Sequence, residues 1–582
     1  MSDPFQARFE AATARVEVWL QSHGFSAAGE NISGVHRRRY PISATFAGRP
    51  FSLELLLPRK FPVSPPRLRV SPAADYYEKI PHVEADGLLC LFNNGTEFNA
   101  DAVEAVLDEV FNRAEKVLGR PDLEDFYREI QNYWPDWEDG LHSLHLIAEV
   151  PDTATALAAV QVKRHSYVGP DAVAVEKWVK NWVVTPRTDL PTIQAPVLRL
   201  LKPLLPSEYP RTLIDLLALA QKHDVSVHSA IAEHCNTGKG DGLVIIVFPY
   251  AGKSLVIGAR YPACYLAFKK VVYAGFRKGN VPAAVAISRS RGQLATTRII
   301  RLRTSLGTHE EVHSRGGAGH PFKGKTVVFV GCGSLGGYVA HLFAKAGVGR
   351  IHLVDPQLMG WENIGRHVLG AGEVGPSKAV ELAESLSQQL PHLEITPHTK
   401  NWSELWQNRP NLFLTADLIV STVGHWNEEH DLNVLARRVT GFPAILFGWI
   451  ESHAVAGHGL LVHPQLGGCL CCGSTATGEF NHSVCAPGTD TMQQGAGCGD
   501  FYQPYGVTEM LPSAALIAQH GMDFLNGAVP ESELRTWLGP ASTFTRHGLT
   551  VHEPWKSATD ATPHGAVYRK PWPIVPACPY CT

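Results

Sequence analysis

The 582-residue sequence predicts a multidomain protein with an N-terminal α+β domain, a mixed α/β middle domain and a C-terminal α/β domain. Three observations support this prediction. The chain is too long for a single hydrophobic core. Strand patterns precede helix patterns over about the first 140 residues, which favours an α+β unit, and strand and helix patterns alternate from Lys323 onward. We therefore expect domains at residues 1–140, 141–315 and 316–582.

The N-terminal block begins with a helical pattern and continues with strands around Arg37–Phe46 and Phe51–Leu57. A proline-punctuated segment, LPRKFPVSPPRLRV, comes next. Two helical patterns, DAVEAVLDEVFNRAEKVL and DLEDFYREIQNYW, follow Cys90. This order predicts a sheet covered by helices, with Cys90 in the loop between them.

The middle block gives weaker signals. GLVIIVFPY and KSLVIGARYPACYLAF read as strands, and TLIDLLALAQKH reads as a helix. The basic, Ser-, Arg- and Gly-rich stretch Ser288–Gly319 predicts a loop or linker. We interpret this block as a structural spacer between its neighbours.

A glycine-rich turn opens the C-terminal block. Gly331, Gly333 and Gly336 form a G-x-G-x-x-G motif that closes an apolar strand and begins a helix. Glycines there permit a tight turn, and the helix N-terminus offers free N–H groups to phosphate. The next strand ends at Asp355, whose carboxylate can hydrogen-bond ribose hydroxyls. These features predict a Rossmann-like nucleotide site without distinguishing NAD from ATP.

The residues after the turn favour ATP. Arg366 and Lys378 both follow the second strand closely. Two cations near the glycine turn can neutralise a triphosphate and the charge that develops on its α-phosphate. A dinucleotide dehydrogenase has no need of them, so that class is disfavoured.

The chain has 11 cysteines, and its N-terminus lacks the apolar core of an export signal. Reduced thiols that serve as metal ligands or nucleophiles are therefore favoured over disulfides. Two C-x-x-C pairs, Cys469–Cys472 and Cys578–Cys581, match a tetrahedral Zn²⁺ site with a structural role. The alternative is a set of unligated thiols, since Cys471 offers another pairing.

Two further cysteines, Cys485 and Cys498, lie in a glycine-rich loop before the helical pattern MLPSAALIAQHGMDFL. A thiol in such a loop is accessible and can act as a nucleophile. Cys498 is closer to the helix and is flanked by glycines, so we prefer it to Cys485. We interpret Cys235, Cys264 and Cys332 as core or turn residues.

The C-terminal motifs resemble those of a known family. GCGSLGG, LVDPQLMGWENIGRH, GPSKA and the cysteine pairs are similar to the adenylation domain of ubiquitin-activating (E1-type) enzymes and the bacterial ThiF and MoeB proteins. The resemblance implies ATP-dependent activation of a protein's C-terminal carboxylate with Mg²⁺. It places the three glycines against the nucleotide, Asp355 on the ribose, Asn363, Arg366 and Lys378 on the phosphates, and the nucleophilic cysteine in the loop.

The sequence departs from that family at one position. An aspartate that helps to hold magnesium usually follows the strand that here reads DLIVSTVG. This chain continues with His425, Trp426 and Asn427, and the nearest candidate is Asp431.

The segment PHVEADGLLCLF, after the proline-rich turn, resembles the core of ubiquitin-conjugating (E2) enzymes over about residues 5–140. The resemblance implies that Cys90 accepts an acyl group as a thioester. The family's His-Pro-Asn triplet is absent, and Pro81-His82-Val83 stands near its place. We therefore interpret His82 as structural and expect oxyanion support from the backbone, Asn93 or Asn94.

Such a fusion resembles enzymes of bacterial CBASS antiphage operons and, in layout, the homodimeric autophagy activating enzymes. The resemblance implies a relay from Cys498 to Cys90 and then to a target amine. It also implies a homodimer whose partner is a cGAS/DncV-like nucleotidyltransferase or a ubiquitin-like protein. Two alternatives remain: a ThiF/MoeB-like sulfur-carrier activator, and an N-terminal domain that only docks a partner.

Composition agrees with a globular enzyme. Hydrophobic residues make up 45% and charged residues 18% of the chain, and the net charge is −3. These values favour neither nucleic acid nor an anionic membrane as a direct partner. No run of about 18 apolar residues is present, so we expect a cytoplasmic protein without a membrane span.

Overall fold

The computed structural model describes residues 4–93, 96–136, 142–182, 191–237, 240–263, 283–316, 321–475, 478–486, 491–494, 501–553, 555–556 and 564–581. The chain divides into two compact units. The first contains Met1–His145, Val150–Ala172 and Asp189–Ser305, and the second contains Leu146–Glu149, Val173–Thr188 and Leu306–Thr582. Among the described helices, none combines the length and apolar character that crossing a bilayer requires.

The N-terminal part of the first unit is the predicted α+β arrangement. Its described strands form an antiparallel sheet in sequence order: Glu30–Asn31, His36–Phe46, Arg49–Pro58 and Arg67–Val70. Tyr40, Ile42 and Ala44 point to one buried face because side chains alternate along a strand. The helices Pro4–Ser22 and Val103–Gly119 contribute to the same core.

The second helical pattern of this part is interrupted. It forms two short helices, Asp125–Arg128 and Ile130–Tyr133, rather than one continuous helix. Glu129 lies between them with φ −109° and ψ 27°, outside the helical region. The break falls at Glu129, a residue that lines the cavity of Cys90.

The rest of the first unit is built on a closed barrel. Its described strands are Ser143–Leu146, Ala156–Val162, His165–Gly169, Thr192–Arg199, Gly242–Tyr250, Lys253–Tyr261 and Ile300–Leu306. Helices accompany them at Leu213–His223, Val225–Thr237 and Ala283–Leu294. The helix and the first strand predicted for this block are confirmed. The second predicted strand is confirmed over Lys253–Tyr261, and residues 264–268 of that prediction lie outside the described residues.

The prediction of a loop or linker over Ser288–Gly319 is wrong for most of its length. The structure has the helix Ala283–Leu294, the strand Ile300–Leu306 and the helix His309–His313. Arg301 is buried within that strand because Asp136 binds its guanidinium, with Oδ1 at 3.0 Å from Nε and 2.6 Å from Nη2. The basic residues of the segment led to the prediction of a loop, whereas the charge of the buried Arg301 is neutralised by Asp136, a residue distant in sequence.

The second unit confirms the predicted parallel sheet. In spatial order its described strands are Glu394–His398, Arg350–Val354, Thr326–Val330, Leu418–Ser421, Ile445–Ile450, Ala456–Val462, Glu533–Leu538 and Ala566–Pro571. The first five are parallel and the last three add antiparallel pairing. A short ribbon pairs Gln493–Gln494 with Phe501–Tyr502.

The second unit also contains helices. Those described in the unit are Ala172–Trp182, His309–His313, Ser334–Lys345, Lys378–Gln389, Trp402–Asn408, Pro410–Leu414, Trp426–Arg438, Val507–Leu525 and Ala541–Arg546. Thr326–Val330 is buried along its whole length, as expected for a central parallel strand. The chain order reverses between this strand and Leu418–Ser421, so a crevice for a ligand is expected at their carboxyl ends.

Candidate functional site: a nucleotide-binding turn and a reactive cysteine

The glycine turn lies at that reversal point. Gly331 has φ +93°, in the left-handed region that favours glycine. A Cβ on Gly336 would overlap the carbonyl oxygen of Gly331 and Oγ1 of Thr422, so packing requires glycine there. Gly333 caps the helix Ser334–Lys345, and a Cβ added to it would meet nothing within 4 Å. The turn is therefore tightly packed on one side and open at the helix N-terminus.

Asp355 fixes the turn to the end of the second strand. Its buried carboxylate accepts hydrogen bonds from the backbone N–H of Cys332 at 2.7 Å and of Gln357 at 2.8 Å. A carboxylate oxygen has capacity for a second hydrogen bond. Asp355 therefore has the chemistry to hold a ribose hydroxyl, as the sequence predicts.

The predicted phosphate-binding residues make hydrogen bonds within the segment that follows the second strand. Ser334 Oγ donates to the carbonyl oxygen of Arg366 at 2.6 Å. Lys378 is largely buried, and its Nζ donates to Oε1 of Gln357 at 2.8 Å. Asn363 accepts from the backbone N–H of Gly360 at 3.1 Å through Oδ1. The segment of Arg366 is thus bonded to the glycine turn itself, whereas Lys378 is connected to it through Gln357 and Asp355.

Arg366 also contacts the chain that follows the cysteine loop. Its Nη1 donates to the carbonyl oxygen of Gln503 at 3.3 Å. The Oε1 of Gln503 accepts from Thr491 Oγ1 at 2.8 Å, and the Thr491 hydroxyl lies 2.5 Å from that of Ser452. A chain of hydrogen bonds therefore runs from Arg366 to Gln503 and Thr491, which are the two stems of the loop, one after it and one before it in the sequence.

A buried carboxylate that sequence reasoning missed is Glu429. It accepts from Ser421 Oγ at 3.2 Å and from the Gly424 N–H at 3.4 Å, at the carboxyl end of the strand Leu418–Ser421. Burial raises the pKa of Glu429 to about 7. Asp431, the candidate from the sequence, is on the same helix with its side chain 77% exposed.

The signal for Glu429 was present in the helical periodicity. The inward residues of the helix Trp426–Arg438 are Glu429, Leu432, Asn433 and Ala436. This spacing of three and four residues marks one face of a helix. The periodicity of the apolar residues on this helix therefore predicts that Glu429 is buried.

The four cysteines of the two C-x-x-C pairs come together. Their sulfur atoms all lie within 4.8 Å of one another, with 3.6 Å between Cys469 and Cys578 and 3.5 Å between Cys472 and Cys581. Tetrahedral Zn²⁺ with Zn–S bonds of 2.3 Å separates its sulfurs by about 3.8 Å. The donor set and spacing therefore fit Zn²⁺, and Cys471 is not a member of the group.

Cys485 lies in an environment that suppresses a thiolate. Its backbone N–H and that of Val484 donate to the two carboxylate oxygens of Glu451 at 2.7 and 2.6 Å, and His458 Nε2 lies 2.7 Å from the same carboxylate. Burial, and secondly the Glu451 charge, raise the pKa of the Cys485 thiol far above its usual range. Cys498 and Asn94 lie outside the described residues.

Cys90 lies exposed in the N-terminal part of the chain. Its backbone N–H donates to the carbonyl oxygen of His82 at 2.8 Å. It opens into a cavity of about 320 Å³ whose described lining is Tyr77, His82, Val83, Glu84, Ala85, Cys90, Glu129, Asn132 and Tyr133. The sulfur is thus accessible and has acidic and aromatic neighbours.

The His82 imidazole, interpreted from the sequence as structural, contacts two carboxylates. Nε2 lies 3.0 Å from Asp125 Oδ2, and Nδ1 lies 3.2 Å from Glu129 Oε1. The pKa of His82 is raised to about 10, first by a hydrogen bond with the Cys90 side chain and then by one with Glu129. No local signal could reveal these carboxylates, since Asp125 lies 43 residues along the chain.

Comparison with known proteins agrees with this geometry. The model of the ThiF family matches residues 322–553, and that of the prokaryotic E2 family B matches residues 21–141. The chain is a fusion of an E2-like and an E1-like region. The glycine turn lies in the E1-like part of this fusion and Cys90 lies in the E2-like part.

Several known proteins are similar to parts of the fusion. The ATP-dependent ubiquitin transferase-like protein Cap2 of Pseudomonas aeruginosa is 30% identical over 221 residues, which are 37% of this chain and 38% of that protein. The mouse adenylyltransferase and sulfurtransferase MOCS3 is 38% identical over 81 residues, 14% of this chain and 18% of that one. The matches thus span less than half the length of these relatives.

Among solved structures, that of Escherichia coli MccB with ATP aligns with a TM-score of 0.33 and 16% identity. The alignment covers 58% of this chain and 98% of that chain.

Proposed function

We propose that the fusion uses ATP to activate the C-terminal carboxylate of a protein and passes the acyl group through two cysteines to an amine. The observation that carries the proposal is the glycine turn at the reversal point of the sheet, which hydrogen-bonds the Asp355 carboxylate and the backbone carbonyl of Arg366. Lys378 donates to Gln357, two residues after Asp355. The similarity to a ubiquitin transferase-like protein and to an adenylyltransferase and sulfurtransferase supports the same chemistry.

In the first step a carboxylate oxygen attacks the α-phosphorus of ATP, and pyrophosphate leaves with the bonding electrons. Arg366 and Lys378 neutralise the charge that develops on the phosphate oxygens. Asp355 orients the ribose, and Gly333 leaves the helix N-terminus open to phosphate. We assign to Glu429 the role of holding Mg²⁺, which would neutralise further phosphate charge, because its buried carboxylate lies at the carboxyl end of the strand Leu418–Ser421 and Asp355 is assigned to the ribose.

In the second step a thiol attacks the carbonyl carbon of the acyl-adenylate, and AMP leaves. We assign this step to Cys498, because Cys485 has a raised thiol pKa and its backbone is held by Glu451. The acyl group then passes to Cys90 and finally to an amine, and the exposure of Cys90 suits such an exchange.

Resemblance alone supports the partners. A cGAS/DncV-like nucleotidyltransferase is our candidate for the activated protein, with a ubiquitin-like protein as the alternative, and we propose a homodimer. The four grouped cysteines would hold a structural Zn²⁺, because four thiolates leave the metal no open position.

Intact mass spectrometry tests the relay. The purified protein is incubated with ATP, Mg²⁺ and the proteins encoded in the same operon, and wild type is compared with Cys90→Ala, Cys498→Ala and the control Cys485→Ala. We expect a thiol-labile adduct on Cys90 that persists in Cys485→Ala and disappears in Cys498→Ala. An adduct that survives Cys498→Ala but is lost in Cys485→Ala would contradict the assignment of the first nucleophile.

The second candidate function is a sulfur-carrier activator whose N-terminal domain only docks a partner. The similarity to MOCS3, an adenylyltransferase and sulfurtransferase, favours it. In the same experiment it predicts adenylation that does not depend on Cys90 and no adduct at that residue.

A further inference from the structure

We propose that His82 is the proton carrier for Cys90, giving up one proton when Cys90 is acylated and recovering it when the acyl group leaves. Asp125 and Glu129 would orient the imidazole and balance its charge. The proposal rests on the acyl transfer to Cys90 proposed above, and it assigns catalysis to a residue that the sequence indicated as structural.

The geometry places one imidazole among three acceptors. Asp125 Oδ2 lies 3.0 Å from Nε2, Glu129 Oε1 lies 3.2 Å from Nδ1, and the side chain hydrogen-bonds Cys90. An imidazole has two ring nitrogens, and both are donors only in its protonated form. Two carboxylates on opposite nitrogens therefore favour the imidazolium.

The backbone fixes His82 relative to the sulfur. His82 has φ +65°, and its carbonyl oxygen accepts from the Cys90 N–H at 2.8 Å. Its own N–H donates to the hydroxyl of Tyr133 at 2.5 Å. A non-glycine residue in the left-handed region persists only where its surroundings determine it, and such residues concentrate at functional sites. These bonds hold the imidazole beside Cys90 before any acyl donor arrives.

The charges around the imidazole can change during the reaction. The groups that face His82 or line the same cavity are Cys90, Asp125, Glu129, Tyr133, Tyr77 and Glu84. The pKa of His82 is about 10, and the hydrogen bond with Cys90 is the first cause. A thioester sulfur is a poor acceptor without charge, so acylation removes this contribution. The pKa of His82 therefore falls when Cys90 is acylated, so the imidazolium loses its proton more readily and the neutral imidazole is available as a base when the amine attacks.

The proton balance closes over both steps. In loading, the Cys90 thiolate bonds to the acyl carbon, the bond from that carbon to the donor sulfur breaks, and His82 gives its proton to the departing thiolate. In discharge, the acceptor amine bonds to the acyl carbon, its surplus proton moves to neutral His82, and the Cys90 thiolate leaves. The imidazolium–thiolate pair is restored without an external acid or base.

The first test measures alkylation of Cys90 by iodoacetamide in the full-length protein without ATP, followed peptide by peptide with mass spectrometry. His82→Asn is the chosen variant because asparagine tolerates a positive φ. We expect at least tenfold slower alkylation of Cys90 in His82→Asn than in wild type at pH 6, with the two rates converging by pH 9.5. Equal rates at pH 6 would overturn the proposal.

Two further variants separate chemistry from folding. The double variant Asp125→Asn, Glu129→Gln keeps His82, and we expect it to slow alkylation at pH 6 in the same direction. Glu84→Gln removes an acidic group of the same cavity and serves as the matched control, with an unchanged pH profile expected. If His82→Asn unfolds, the alkylation rate of the double variant becomes the test. A pH dependence of alkylation like that of wild type in the double variant would contradict the proposal.

The second test bypasses adenylation. Thiophenyl acetate acetylates Cys90 directly, and Nα-acetyl-lysine amide then removes the acetyl group at pH 7.5. We expect removal to be at least tenfold slower in His82→Asn, while ATP–pyrophosphate exchange stays at the wild-type rate. Failure of wild type to form an ATP-dependent adduct would refute the proposed function alone, whereas equal rates of acetyl removal would refute the proton-carrier role alone.

Discussion

The guanidinium of Arg366 lies over the ring of Tyr505, with its central carbon 4.9 Å from the ring centre. Tyr505 lies between the ribbon strand Phe501–Tyr502 and the helix Val507–Leu525. The cation that we assign to the phosphates is therefore in contact with the chain that leaves the cysteine loop. A cation–π contact of this kind contributes about 0.5–1 kcal/mol at an exposed site, so a polyphosphate can compete with it.

Arg366→Ala should reduce ATP–pyrophosphate exchange by about 100-fold or more, because loss of one donor to a developing charge has that effect. The free energy of unfolding should change by no more than about 1 kcal/mol, the size of the lost contact. Exchange assays and denaturant titration measure the two quantities. Arg438→Ala, at an exposed arginine of the same unit, is the control and should leave exchange unchanged.

Gly336→Ala and Gly333→Ala should separate folding from nucleotide binding. A Cβ at Gly336 overlaps Gly331 and Thr422, so that variant should lower the thermal unfolding temperature of the protein. A Cβ at Gly333 meets no atom within 4 Å, so that variant should keep its stability but lose ATP affinity at the obstructed helix N-terminus. Calorimetry and fluorescent-nucleotide binding distinguish them, and equal stability of both would contradict the packing argument.

Cys472→Ser should remove one equivalent of zinc and destabilise the protein. The variant loses one of four sulfur ligands, and loss of a metal site costs roughly 3 kcal/mol or more. Metal content by plasma mass spectrometry and chemical denaturation measure both effects. The neighbouring Cys471 is not one of the four grouped cysteines, so the variant Cys471→Ser should retain zinc. Retention of zinc in Cys472→Ser would show that the sulfurs do not act as a single site.

Glu429→Gln should flatten part of the pH dependence of stability. Burial raises the pKa of Glu429 from 4.5 to about 7, so the folded state binds this proton more tightly than the unfolded state. The group's contribution is therefore complete below about pH 4.5 and is lost as the pH rises towards 7. Denaturant unfolding at pH 5 and pH 8 should show a smaller loss in the variant than in wild type.

Magnesium offers a second check on Glu429. If the carboxylate holds the cation, Mg²⁺ with ATP should favour its ionised form and reduce the difference in stability between pH 5 and pH 8 in wild type. The same addition should have no such effect in Glu429→Gln. An identical response of both proteins would exclude Glu429 from the metal site.

Local periodicity made the second unit predictable. Short stretches of sequence specify the alternation of strands and helices around Gly331 and Asp355. In the structure Gly331 lies at the reversal point of the sheet, and Asp355, at the end of the neighbouring strand, bonds the next residue of the turn. The metal site could also be predicted from the sequence, because the spacing within each C-x-x-C pair is typical of a metal knuckle.

Contacts between distant residues could not be foreseen. The barrel closes through pairs such as Val197 with Ile245 and Gly258 with Leu302, which no local pattern specifies. The raised thiol pKa of Cys485 depends first on burial by the tertiary fold and then on Glu451, 34 residues earlier in the chain. Side chains brought together by the tertiary fold, rather than by spacing, account for what the sequence left open.

The hydrogen-bond chain from Arg366 through Gln503 to Thr491 has a thermodynamic consequence. Any ligand that draws Arg366 away from Gln503 removes a contact from the loop stems and so changes their stability. Linkage is reciprocal, so whatever fixes or loosens those stems must change the ligand's affinity by the same factor. If a nucleotide displaces Arg366 from Gln503, the affinity for that nucleotide and the stability of the segments around Thr491 and Gln503 are therefore coupled.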